Sequence, residues 1–174
     1  MTDKAREAAL QVRMLVLDVD GVLTDGKLFY SDDGGEYKTF NIKDGLGIKL
    51  LQRAGIEVGI ITARRSVILG RRCQELGISR LIQGREDKLA ALKELLLELR
   101  LDIKEVAYMG DDLPDLAAVR AAGLGMTVAD ANPVLLENAV WQSRFNGGNG
   151  AVREAAEFIL SAQDRLEALI SSYK

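Results

Sequence analysis

The residues best equipped for chemistry come in two acidic clusters, Asp18-Val19-Asp20-Gly21 and Gly110-Asp111-Asp112-Leu113-Pro114-Asp115. Each follows a short apolar run, which sets it at the end of an expected strand. Two carboxylates two residues apart repel each other unless they share a proton or a cation. Magnesium, which takes a few carboxylates together with waters and phosphate oxygens, resolves that repulsion. If the two strands are neighbours in one sheet, Asp18 and Asp111 converge on a single ion. A phosphate bound there also needs donors and positive charge. Thr62, in Ile60-Ile61-Thr62-Ala63-Arg64, offers a hydroxyl and a backbone N–H at a strand end. Lys88, near the start of a helix, offers a point charge. The ordered set of acidic pair, threonine, lysine and second acidic cluster is far more specific than any one member, and it points to metal-assisted phosphate chemistry.

The elements that must position these residues follow from the apolar pattern. Runs at Arg13 to Leu17, Ile56 to Ile61, Arg80 to Ile82 and Glu105 to Met109 read as buried strands. Helical patterns lie between and after them, at Gly45 to Arg53, Ser66 to Leu76, Glu86 to Arg100 and Leu113 to Ala121. Further strands are expected near residues 123–128 and 139–141, and a last amphipathic helix over Gly150 to Ile170. Strands alternating with helices predict an α/β fold with a doubly wound, Rossmann-like parallel sheet. One stretch breaks the alternation: residues 27–40 flank a Ser-Asp-Asp-Gly-Gly turn with aromatic and apolar residues, which predicts a β-hairpin. It borders the carboxyl ends of the strands, where open α/β sheets bind ligands.

Composition narrows the classes of function. The 174 residues, 48% hydrophobic and 28% charged, fit one ordinary domain spanning 1–174, with the hairpin projecting and a tail from about 147 to 174. A net charge of −3 without a basic stripe argues against nucleic acid and for a small ligand. The sequence contains no histidine, so acid–base work falls to carboxylates. The single cysteine, Cys73, sits in an apolar helical pattern as buried filler. Neither a signal core nor a run able to span a bilayer is evident, which predicts a cytoplasmic protein. A helix–loop–helix calcium site fails on spacing, because Gly21 is fourth and Phe29 twelfth counting from Asp18. A nucleotide-binding phosphate loop fails at Leu28, where Ser or Thr is needed. A phosphorylated receiver module uses similar residue types, but its phosphorylated aspartate closes a later strand than its acidic pair does.

These motifs resemble those of the haloacid dehalogenase superfamily: residues 18–26, Thr62, Lys88 and residues 110–115. The hairpin, the following Lys43-Asp44-Gly45-Leu46-Gly47, Arg64 and the late Gly147-Gly148-Asn149-Gly150 resemble the branch of phosphatases acting on 3-deoxy-D-manno-octulosonate 8-phosphate. Phosphatases of nonulosonate 9-phosphates are the nearest alternative. Ala63 departs from the glycine often found there, a change confined to loop geometry. The resemblance implies that Asp18 attacks phosphorus, that Asp20 protonates the leaving oxygen and then activates water, and that Thr62 and Lys88 hold the phosphoryl group. It implies Mg2+ on Asp18, Asp111 and the backbone carbonyl of Asp20. Asp112 and Asp115 are expected to support these ligands, and Arg64, Arg72 and Arg153 are candidates for the substrate carboxylate. With only a hairpin for a cap, the chain is expected to form a homotetramer in which a neighbour helps to cover the site.

Overall fold

Met14–Leu17 form β1, a four-residue strand whose side chains are all buried. A strand covered on both faces reads as an unbroken apolar run, and the same explains the other inner strands. The computed structural model describes residues 3–173; the outermost residues of the expected 1–174 domain, 1, 2 and 174, lie outside them. A hairpin of β2 (Phe29–Tyr30) and β3 (Glu36–Tyr37) follows β1. The main sheet is completed by β4 (Glu57–Thr62), β5 (Arg80–Gln83), β6 (Val106–Gly110), β7 (Leu124–Thr127) and β8 (Trp141–Gln142). All its strands are parallel, in the order β5-β4-β1-β6-β7-β8. Its edges are the half-buried β5 and the two-residue β8, which leave little unpaired backbone for another chain.

The helices are α1 (Asp3–Leu10), α2 (Ile42–Arg53), α3 (Val67–Leu76), α4 (Lys88–Leu99), α5 (Leu116–Ala121), α6 (Pro133–Asn138), α7 (Ala151–Ala162) and α8 (Leu166–Ser171). From β1 the chain moves outward to β4 and β5, then returns across β1 to β6, β7 and β8. Right-handed crossovers in opposite directions put their helices on opposite faces. Accordingly α2 packs on α7 and α7 on α1, while α4 packs on α5 and α5 on α6. The reversal beside β1 opens a crevice at the carboxyl ends of β1, β4 and β6.

Several boundaries differ from the sequence reading by a few residues, and three of the differences are instructive. α2 begins at Ile42 because Asn41 caps it, accepting the Lys43 N–H at 2.8 Å. The segment from Leu113 opens with a 3-10 turn over Leu113–Asp115 before α5. The expected last helix is two helices, α7 and α8, separated at Asp164, which has φ 54°. Among the described residues no helix is long and apolar enough to cross a membrane.

The hairpin turn runs through Ser31 to Gly35. The Ser31 and Gly34 backbone N–H groups donate to the Gly35 and Ser31 carbonyls, both at 2.9 Å. Its strands leave Phe29, Tyr30 and Tyr37 exposed. Cys73 is buried, as its helical pattern implied.

Candidate active site

β1 ends against β6, and the Asp18 N–H donates to the Met109 carbonyl at 3.0 Å. This pairing carries the two acidic clusters to the same end of neighbouring strands. One carboxylate oxygen from each of Asp18, Asp111 and Asp115 lies within 4.8 Å of the other two. Lys88, the first residue of α4, enters this group with its side chain 4% exposed. Its Nζ lies 2.9 Å from Asp18 Oδ2 and 2.7 Å from Asp115 Oδ1. The Tyr108 hydroxyl donates to the same Asp115 oxygen at 2.8 Å, and the Asp111 N–H reaches the other at 3.4 Å. Asp115 is therefore occupied in holding Lys88 and the 110–115 turn, while Asp18 and Asp111 keep open oxygens.

Three carboxylates face one ammonium, and the proton affinities of Asp18 and Asp111 show it. Burial, and then the Asp115 charge, push Asp18 up to about 7, although Lys88 opposes the rise. Asp111 is likewise pushed up to about 7, by burial first and then by Asp18 and Asp115. Burial also works against the Lys88 charge, but the Asp18 and Asp115 carboxylates outweigh it and raise its proton affinity. An all-oxygen set whose charges repel is the donor chemistry of a hard divalent cation such as Mg2+. The residues present fit such an ion.

Asp111 also depends on its neighbour in the first loop. Gly21 has φ 96°, and a Cβ there would sit 2.0 Å from Asp111 Oδ2. Only glycine lets that carboxylate fold over the loop.

Asp20 turns away from the carboxylate cluster. It pairs with Lys38, whose side chain is 2% exposed, and its other oxygen lies 3.8 Å from Arg64 Nε. Arg64 in turn donates to the Tyr30 hydroxyl at 3.3 Å and to Glu36 at 3.4 Å, tying the hairpin to the site. Thr62, buried at the end of β4, accepts the Arg64 N–H on its hydroxyl oxygen at 3.3 Å. Asp112 caps the 3-10 turn through the Leu113 N–H at 2.8 Å and accepts from the Asn132 side chain at 3.0 Å.

Asp18, Asp20, Thr62, Arg64, Lys88, Asp111, Asp112 and Asp115 thus line one open cleft of roughly 330 Å³. A larger groove of roughly 470 Å³ lies by Gln52, Glu57 and Arg80, but no comparable group of charges converges there. Two sequence candidates fall outside the cleft. Arg72 stands over the Phe40 ring at 5.8 Å and pairs with Glu75 at 3.3 Å. Arg153 pairs with Glu157 one turn along α7, at 2.7 Å. Each guanidinium took a partner within its own reach rather than the site.

With the geometry in place, comparison with known proteins is decisive for the family. Residues 80–154 match the haloacid dehalogenase-like hydrolases. The chain is 46% identical over 167 residues to the 3-deoxy-D-manno-octulosonate 8-phosphate phosphatase KdsC of Yersinia pestis, covering 96% of this chain and 89% of that one. The chain belongs to this phosphatase family of haloacid dehalogenase-like hydrolases. Among solved structures, a probable YrbI family phosphatase of Pseudomonas syringae superposes with a TM-score of 0.97 at 50% identity, covering 99% of this chain and 98% of that one. The Moraxella catarrhalis 3-deoxy-D-manno-octulosonate 8-phosphate phosphatase, in complex with magnesium, phosphate and KDO, superposes with a TM-score of 0.98 at 42% identity over the whole of both chains.

Against that family background, the site contains residues that sequence reasoning did not single out. Lys38 leaves β3 as one lysine among exposed hairpin residues, with nothing local to mark it as buried. Tyr108 reads as filler in an apolar strand, yet its hydroxyl orients Asp115.

Proposed function

We propose that this chain hydrolyses 3-deoxy-D-manno-octulosonate 8-phosphate to the free sugar acid and inorganic phosphate, a step in lipopolysaccharide precursor synthesis. The observation that carries the reading is the convergence of Asp18, Lys88 and Asp111 at the switch in strand order, with Asp20 two residues further on. The structural match to a relative that holds magnesium, phosphate and KDO supports it.

In this reading a carboxylate oxygen of Asp18 attacks phosphorus, and the ester oxygen leaves as the sugar-acid hydroxyl, taking its proton from Asp20. Asp20 then removes a proton from water, the water attacks the aspartyl-phosphate, and the bond from phosphorus to Asp18 breaks to restore the carboxylate. Lys88 and the Thr62 hydroxyl meet the charge on the phosphoryl oxygens, the kind of electrostatic positioning on which phosphoryl transfer depends. Asp115 keeps Lys88 in place, Asp112 shapes the turn behind Asp111, and Arg64 takes the substrate carboxylate. Asp18, Asp111 and the Asp20 backbone carbonyl would hold Mg2+, which when bound supplies positive charge to the phosphoryl oxygens.

The chain would act as one hydrolase domain in the cytoplasm. The exposed Phe29, Tyr30 and Tyr37 favour association of hairpins into a homotetramer, and sedimentation as a monomer at working concentration would refute that. For the reaction, sugar-acid phosphates, including a nonulosonate 9-phosphate, are assayed for phosphate release with and without magnesium. The octulosonate 8-phosphate is expected to be turned over fastest, and only with the metal. Faster turnover of the 9-phosphate, or full activity after exhaustive chelation, overturns the assignment.

A further inference from the structure

We propose that Asp44 and Asp130 are positioning residues for the Asp18 loop, acting through the backbone of the glycine segment 147–150. This rests on the reading of Asp18 and Asp111 as the phosphoryl-transfer centre. Asp44 lies in the first turn of α2 and is 1% exposed. Its carboxylate accepts the Arg153 N–H at 2.8 Å and the Gly150 N–H at 3.3 Å, so it caps α7 from a neighbouring helix. A carboxylate there also suits the positive end of that helix. Asn41, just before α2, donates to the Gly148 carbonyl at 3.2 Å. From the other side, Asp130 accepts the Gly147 N–H at 3.0 Å.

The segment so held presses directly on the catalytic loop. The Gly148 N–H donates to the Val22 carbonyl at 2.9 Å. A Cβ on Gly147 would lie 1.8 Å from the Gly21 carbonyl oxygen, and one on Gly148 would lie 2.6 Å from the Asp25 nitrogen. Backbone therefore meets backbone, with no flexible side chain between to absorb a displacement. Gly21 is the residue over which the Asp111 carboxylate folds. A shift of the glycine segment is thus passed to the loop that carries Asp18 and Asp20 and to the seat of Asp111. This close approach explains Gly147 and Gly148, and a φ of 103° explains Gly150, with no substrate contact needed.

The experiment uses the full chain with four substitutions: Asp44→Asn, Asp130→Ala, Asp130→Asn and Ile159→Val. Asp44→Asn turns an amide nitrogen toward a backbone N–H that now meets an oxygen, whereas the exposed Asp130 can be truncated without disturbing the core. Kinetics are measured on the sugar-acid phosphate and on p-nitrophenyl phosphate, and Mg2+ binding by calorimetry without substrate. Asp44→Asn and Asp130→Ala are expected to lower kcat roughly tenfold or more on both substrates, with KM little changed, and to weaken Mg2+ binding. Asp130→Asn, whose carbonyl still accepts the Gly147 N–H, should restore both. Ile159→Val, in the core of α7, should lower the melting temperature and leave kcat and Mg2+ affinity as they were.

Unchanged kcat and Mg2+ affinity in Asp44→Asn and Asp130→Ala overturn the proposal, whatever happens to stability. A raised KM confined to the sugar-acid phosphate also overturns it, since that marks direct substrate contact. If Asp44→Asn does not fold, the Asp130 pair decides. Should wild type hydrolyse neither substrate, the functional reading fails, and Mg2+ binding still tests the clamp.

Discussion

Asp18→Asn should abolish turnover and yet stabilise the metal-free protein at pH 8. Asp18 is raised from 3.8 to about 7, mainly by burial and then by Asp115. The sign follows from linkage: between these values the folded state holds a proton that the unfolded chain has released, so the contribution of Asp18 to stability falls as pH rises. It is fully present below about pH 4 and lost by about pH 7. A tenfold change in proton affinity is worth about 1.4 kcal/mol, which sets a ceiling of about 4 kcal/mol at pH 8. Asp18, Asp111 and Lys88 share one set of charges, so only part of that belongs to Asp18, and about 1–2 kcal/mol is expected. For a chain of this length the gain corresponds to a melting temperature higher by about 2–8 °C. Thermal melts of both proteins in chelator at pH 4 and pH 8 measure it, and repeating them with Mg2+ should show wild type gaining more than the variant. A variant less stable than wild type at pH 8 in chelator would refute the electrostatic account of the cluster.

Three further outcomes follow from the same contacts. Lys88→Met removes the ammonium between Asp18 and Asp115 and should cost about 3–5 kcal/mol in urea unfolding, as the loss of one partner of a buried pair does; a loss below about 1 kcal/mol would contradict its role. Lys38→Met should lower turnover about tenfold by releasing Asp20, whereas Asp20→Asn should lower it about 10²–10⁴-fold; steady-state rates with an unaltered Lys38→Met enzyme would show that Asp20 needs no such partner. Arg64→Ala should raise KM for the sugar-acid phosphate and spare a small generic ester, while Arg153→Ala, whose guanidinium rests on Glu157, should leave KM for both esters unchanged; the reverse pattern would move the substrate carboxylate to the tail.

The fold was legible where burial leaves an unambiguous trace. β1 and β6 are covered on both faces, so their unbroken apolar runs survive in the sequence, and each ends at an acidic cluster that the strand geometry carries to one place. The hairpin announced itself through its Ser-Asp-Asp-Gly-Gly turn. Helix ends were less legible, because they depend on single capping contacts such as Asn41 to Lys43. The break at Asp164 interrupts a pattern that continues on both sides of it. The long cations were hardest to read. Lys38, Arg72 and Arg153 carry the same kind of charge, yet one is buried on Asp20, one lies over Phe40 and one pairs along its own helix. Such choices depend on what the tertiary fold brings within a side chain's reach, which local spacing does not encode.

The charges also explain why the hairpin is part of the chemistry. When all three carboxylates are ionised, Asp18, Asp111 and Asp115 against Lys88 leave two negative charges in a largely buried cluster, enough to repel a phosphate dianion and enough to be matched by one divalent cation. Around that core lies an outer set in which Asp20 pairs with Lys38 and Arg64, and Arg64 pairs in turn with Glu36, two cations against two carboxylates. Lys38 immediately follows the hairpin, and Arg64 is bound to it through Tyr30 and Glu36. Without the hairpin, Asp20 would lose one cation and the tether of the other. The hairpin therefore takes part in the site by fixing the two cations that face Asp20.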